Sequence, residues 1–121
     1  NCLKGSPFVK EAIVVGDRRS YLAALIGIER DAVADWAARR GIAFTTYRDL
    51  TERPEVVDLV AAEVRRVNQD LSSVEQIKRF RLIPKELDQE DGELTATQKV
   101  KRGILQDRFR DLVETLYTTT S

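Results

Sequence analysis

The chain predicts a small α+β domain, a three-stranded sheet with a β-hairpin, covered by helices. Three observations point there. Two short apolar runs flank a polar turn near the start. An apolar stripe at helical spacing runs from Val56 to Leu71. An alternating segment, "KRFRL", lies between that stripe and a last amphipathic stretch. The implied order is helix end, β, β, α, α, β, α.

The opening "NCLKGSPF" reads as the last turn of a helix. Lys4 suits a helix C-terminus, Gly5 suits its cap, and Ser6-Pro7 stops it. The first residue is Asn, so the chain is expected to be a piece of a longer protein. In "EAIVVGDRRSYLAALIGIE" the runs Ala12–Val15 and Leu22–Ile28 surround a turn containing Gly16 and Asp17, the pattern of a hairpin. "RDAVADWAARRG" then spaces Val33, Trp36 and Ala37 three or four apart, with Asp31 as a cap and Gly41 as a terminator. Thr45 to Arg53 reads as a loop or a broken helical turn. Pro54 suits the first position of the next helix, which carries Val56, Val57, Val60, Val64, Val67 and Leu71 inward and ends near Ser72. "KRFRLIPKEL" sets Phe80 and Leu82 against Arg79 and Arg81, a strand stopped by Pro84. "DQEDG" is an acidic turn, and Glu90, Asp91 and Glu93 read as solvated carboxylates. The last helix is expected to begin near Thr97 and to turn Val100, Ile104, Leu105, Phe109, Leu112, Val113 and Leu116 inward, before "TTTS" frays.

Composition narrows the function. Among 121 residues, 20 Lys plus Arg balance 20 Asp plus Glu, so no net field draws the chain to nucleic acid or an acidic membrane. There is no His and one Cys. Histidine-based catalytic triads are therefore excluded, as is an internal disulfide, and no metal site is expected. No run approaches the roughly 20 apolar residues of a membrane span. The chain reads as cytosolic, with any peripheral membrane association coming from the rest of the protein. Phosphate-loop and dinucleotide glycine patterns are missing.

One stretch is out of place. "GELTATQKVKRG" puts Lys99, Lys101 and Arg102 where a helix is expected to begin, although the macrodipole there presents about half a positive charge. Charge alone leaves two readings. The cluster is either ordinary surface charge or, with free N–H groups beside it, a place for a phosphate or carboxylate. A nucleic-acid grip fits less well, because Asp107, Asp111 and Glu114 interrupt any basic stripe.

"SPFVKEAIVVGD", "RRSYLAALI", "QIKRFRLIPKEL" and "DGELTATQKVKR" together resemble the C-terminal lid domain of long-chain fatty acyl-CoA synthetases, members of the adenylate-forming (AMP-binding) superfamily. The resemblance runs from about Asn1 to Tyr117. The superfamily motif is usually Pro-Lys-Thr-x-x-Gly-Lys-Ile-x-Arg. Here Pro84-Lys85 is followed by an insertion through Gly92, and Thr97-Gln98 replaces the glycine before the lysine. The alignment therefore rests on Lys99 and Arg102.

The resemblance implies an ATP-dependent ligase that joins a fatty acid to CoA through an acyl-adenylate. ATP, Mg²⁺ and the acyl chain would sit on a large N-terminal adenylation domain, the main partner, which is absent from this chain. Residues 1–121 would form one domain that swings between two orientations. It would bind no cofactor by itself and be inactive alone. Lys99 matches the lysine inserted into the adenylation site. Within "VRRVNQDL", Arg65 matches an arginine that meets the phosphates of CoA in the thioester-forming orientation, although Arg65 and Arg66 also read as two solvated helix arginines. Lys101 and Arg102 would contact the partner domain, a phosphate, or only water. The competing reading is a free-standing small module that binds anions or nucleic acid.

Overall fold

The computed structural model describes residues 6–16, 21–72, 76–87, 92–97, 99 and 101–116. The helix end at "NCLKG", the hairpin turn from Asp17, Glu90, Asp91, Val100 and the C-terminal "TTTS" lie outside the described residues.

Strand β1 (Val9–Val15) pairs antiparallel with β2 (Leu22–Ile28), from Val15 opposite Ala23 to Val9 opposite Ile28, with a register irregularity between Val9 and Glu11. Strand β3 (Ile77–Leu82) lies parallel to β2 on its other side. The order is β1-β2-β3. A parallel neighbour needs a long crossover, and here three helices supply it: α1 (Arg30–Arg39), α2 (Tyr47–Glu52) and α3 (Pro54–Asn68). Two short helices, α4 (Arg102–Arg108) and α5 (Arg110–Thr115), close the chain.

The central strand, LAALIGI, is apolar at nearly every position because both its faces are covered. Ala24, Ile26 and Ile28 pack with Val33 and Ala37 of α1, Leu50 of α2, and Val56, Val60, Val64 and Val67 of α3. Ala23 and Leu25 turn the other way, with Ile13, Val15, Ile83, Leu105 and Leu116. The domain thus has two apolar layers, one under α1–α3 and one under α4 and α5. Each fully buried Leu or Ile contributes about 1.5–3 kcal/mol relative to exposure.

The start of β3 is fixed by Asn68. Its side-chain amide donates to the Ile77 carbonyl at 2.9 Å and accepts the Ile77 N–H at 2.9 Å, standing in for a neighbouring strand. Gly41 ends α1 at φ +71°, as the sequence suggests.

The structure departs from the sequence reading at several points. Thr45 to Arg53 contains a helix. The Thr46 hydroxyl accepts the Asp49 N–H at 3.0 Å while the Asp49 carboxylate accepts the Thr45 N–H at 2.9 Å, so a reciprocal cap closes the first turn of α2. Asp31 does not cap α1. Glu29 holds that position, without a side-chain cap bond, and Asp31 lies in the first turn. The final helix begins at Arg102 rather than near Thr97, because Thr95 bonds Lys99 and Lys101 bonds Glu93 through the backbone across a loop. It also breaks at Phe109, whose φ of −106° and ψ of 30° leave the helical region. Val57 and Ile104, expected inward, are 37% and 38% exposed. Each is adjacent to the residue that takes the core position, Val56 or Leu105, and successive helical side chains point about 100° apart. Glu93 was expected in water and is fully buried.

The contrast between Leu105 and Ile104 is measurable by denaturant unfolding. Leu105→Ala should cost about 2–5 kcal/mol through lost burial and a cavity. Ile104→Ala, one position away, should change stability by about 0.5 kcal/mol or less.

Candidate functional site

Between β3 and α4 the chain makes a narrow hairpin-like loop. Gly92 enters it at φ +77°, a conformation that only glycine takes without steric cost. Two backbone bonds cross the loop: Thr95 N–H to the Lys99 carbonyl at 2.8 Å, and Lys101 N–H to the Glu93 carbonyl at 2.9 Å. The Thr95 hydroxyl also accepts the Lys99 N–H at 3.0 Å and lies 3.0 Å from the Thr97 hydroxyl. Thr95 therefore holds both backbone polar groups of Lys99. The Lys99 side chain is exposed, with no hydrogen bond or ion pair among the described residues. A fixed backbone carrying a free ammonium on a long stem can project a point charge away from its own domain.

The loop is fastened from beneath by Glu93. Its side chain has no solvent exposure. Lys85 Nζ lies 2.7 Å from Oε1 and Arg108 Nη1 lies 3.2 Å from Oε2. One carboxylate thus joins the segment after β3, the loop and α4. The cations are 34% and 46% exposed, so each keeps water on its outer side. Removing the cations would leave an uncompensated charge in the interior, a change on the order of 3–5 kcal/mol for buried pairs. Next to Glu93, Leu94 is buried and helps line a crevice with Lys10, Gly27, Ile28 and Tyr47. The Tyr47 hydroxyl lies 3.4 Å from the Ile28 carbonyl. Burial, helped by Glu86, pushes its phenol up to about 12, so it stays neutral near pH 7.

The remaining candidates separate. Lys101 is exposed at the N-cap of α4 and its side chain makes no cap bond. Arg102 is also exposed, but its guanidinium donates to the Val14 carbonyl of β1. It ties the start of α4 to the sheet rather than reaching out as Lys99 does. Arg65 is exposed on α3, with no hydrogen bond or ion pair among the described residues, whereas Arg66 pairs with Glu63 at 3.2 Å. Helix α3 belongs to one apolar layer and α4 to the other. Lys99, in the loop before α4, and Arg65, on α3, are carried by different elements, and no described contact joins them. Among the described residues no group of three or more His, Cys, Asp or Glu could hold a metal ion. No helix among them is long and apolar enough to cross a membrane.

Sequence reasoning missed Glu93 and Thr95. Nothing local marks the burial of Glu93, since its cations come from eight residues before and fifteen after it. Nor does anything local mark Thr95, whose hydroxyl acts only once the loop brings Lys99 beside it.

The chain belongs to the AMP-binding enzyme C-terminal domain family, whose description matches residues 1–121. It is 34% identical over 116 residues to the long-chain-fatty-acid–CoA ligase FadD15 of Mycobacterium tuberculosis, covering 95% of this chain and 19% of that one. It is 36% identical over 117 residues to the putative fatty-acid–CoA ligase fadD11 of the same organism, covering 97% and 20%. The chain thus spans about one fifth of the length of these curated relatives. Among solved structures, the adenylation domain of a carboxylate reductase from Mycobacterium chelonae matches with a TM-score of 0.69 and 24% identity, over 96% of this chain and 16% of that one. That likeness concerns the fold.

The different tethering of the cations is open to test by urea unfolding. Arg102→Ala should lose about 1 kcal/mol with its bond to the sheet. Lys99→Ala should stay within about 0.5 kcal/mol of the parent.

Proposed function

We propose that this chain is the mobile C-terminal domain of an ATP-dependent long-chain fatty-acid–CoA ligase, with Lys99 as its adenylation lysine. The observation that carries the reading is an exposed, unengaged ammonium on a backbone clamped by Thr95, in a chain related along nearly its whole length to such ligases.

In the first half-reaction a fatty-acid carboxylate oxygen attacks the α-phosphorus of ATP. The P–O bond to pyrophosphate breaks, leaving acyl-adenylate. Negative charge is then spread over the carboxylate, the α-phosphate and the departing pyrophosphate. An ammonium set among them orients the reactants and stabilises the charge as it moves. Lys99 acts through its positive charge and transfers no proton. In the second half-reaction the thiolate of CoA attacks the acyl carbonyl and AMP leaves.

On this reading ATP, Mg²⁺ and the acyl chain are held by the large N-terminal domain, and this domain presents one side for each step. Lys99, on the loop before α4, serves adenylation. Arg65, exposed on α3, offers a guanidinium that suits a phosphate of CoA. Cations carried by different elements and used in different steps fit a swinging domain. The isolated chain should form no acyl-CoA.

The test uses the full-length protein and measures each half-reaction separately. Lys99→Ala should slow acyl-adenylate formation about a hundredfold or more and leave thioester formation from supplied acyl-adenylate within about twofold. Equal loss in both steps would contradict the role.

A further inference from the structure

We infer that Glu93 is a positioning residue for Lys99, acting through the loop that carries it. The inference rests on the proposed role of Lys99 and goes beyond it by assigning what holds that lysine in place.

The geometry runs in a short chain of contacts. The Glu93 side chain is buried at 0% exposure and gripped at both oxygens, by Lys85 at 2.7 Å and Arg108 at 3.2 Å. Its own carbonyl accepts the Lys101 N–H at 2.9 Å. The next bond across the loop joins Thr95 to Lys99 at 2.8 Å, and the Thr95 hydroxyl holds the Lys99 N–H at 3.0 Å. Lys99 is thus bonded to a near strand that one buried carboxylate pins. Lys85 comes from the segment after β3 and Arg108 from α4, so that near strand is locked to the elements on both flanks of the loop. A buried acid with two cationic partners costs desolvation and is weak evidence for stability by itself. Its value here is placement. A lysine that must enter another domain's cleft loses rate steeply when its origin shifts, since a misplacement of about 1 Å can cost on the order of a hundredfold.

A residue that acts only through Lys99 should lose its influence once the ammonium is gone. The experiment is therefore a double-mutant cycle in the full-length protein, with wild type, Glu93→Gln, Lys99→Ala and the double variant. Palmitate-dependent ATP–pyrophosphate exchange reads adenylation, and CoA added to palmitoyl-adenylate reads thioester formation. Glu93→Gln should lower the adenylation kcat about ten- to a hundredfold, with KM for ATP and thioester formation within about twofold of wild type. In the Lys99→Ala background the same change should cost less than about twofold. If Glu93→Gln costs the same in both backgrounds, or slows both half-reactions equally, Glu93 is structural and the inference fails while the role of Lys99 stands. If Lys99→Ala leaves adenylation intact, the proposed function fails and this inference with it. Should Glu93→Gln not fold, Arg108→Gln takes its place in the cycle. Arg108 is 46% exposed and supplies one of the two ion pairs, and it should show a smaller loss, about threefold or more, with the same dependence on Lys99.

Discussion

The carboxylate of Glu93 is the point at which the segment after β3, the loop that carries Lys99 and α4 are joined. It is an acid with no solvent exposure, held by two cations that reach it from different parts of the chain. The layer under the three crossover helices is separate from it. Leu94, the Thr95 bonds and the Lys101–Glu93 backbone bond position the near strand of the loop, and the ionic junction ties that strand to the segment after β3 and to α4. A loop built largely of polar residues, whose backbone would be equally content in water, needs such a fastening to hold a side chain in one place.

That arrangement divides labour among the cations of the segment. Lys85 and Arg108 are spent on the interior acid, and Arg102 on the sheet. Lys99 is left unengaged among the described residues, with its backbone secured on both sides. The structure therefore sets Lys99 and Lys101, both exposed and without a side-chain partner among the described residues, apart from the engaged cations of the patch. Arg65 is carried by a different element, α3, and is likewise exposed.

Much of the fold was legible because the apolar pattern is strict. The all-apolar run Leu22–Ile28 became the central strand, and the stripe Val56, Val60, Val64 and Val67 became the buried face of α3. The misses share a cause. Val57 and Ile104 are apolar side chains beside the true core positions, and only the packed helix decides which neighbour is chosen. Helix α2 was hidden because its six residues are too few to show an apolar stripe; a cap between Thr46 and Asp49 closes its first turn, and Leu50 anchors it in the core. Glu93 sits in the acidic run from Glu90, which reads as water-facing, and its burial is allowed only by cations that topology delivers. For the site, charge pattern reached no further than a mild anomaly at a helix start. Family resemblance singled out Lys99, and geometry supplied the reason why it can reach outward.

The central claim is that a positive charge at position 99, and not the bulk of the side chain, drives adenylation in the full-length protein. The most direct measurement is the adenylation rate of Lys99→Cys after aminoethylation, which restores an ammonium on a stem of lysine-like length, compared with the same variant after carbamidomethylation, which does not. The account predicts recovery with the cationic group and none with the neutral one, against a Lys99→Ala control treated in parallel. Equal recovery with both, or none with either, would contradict it.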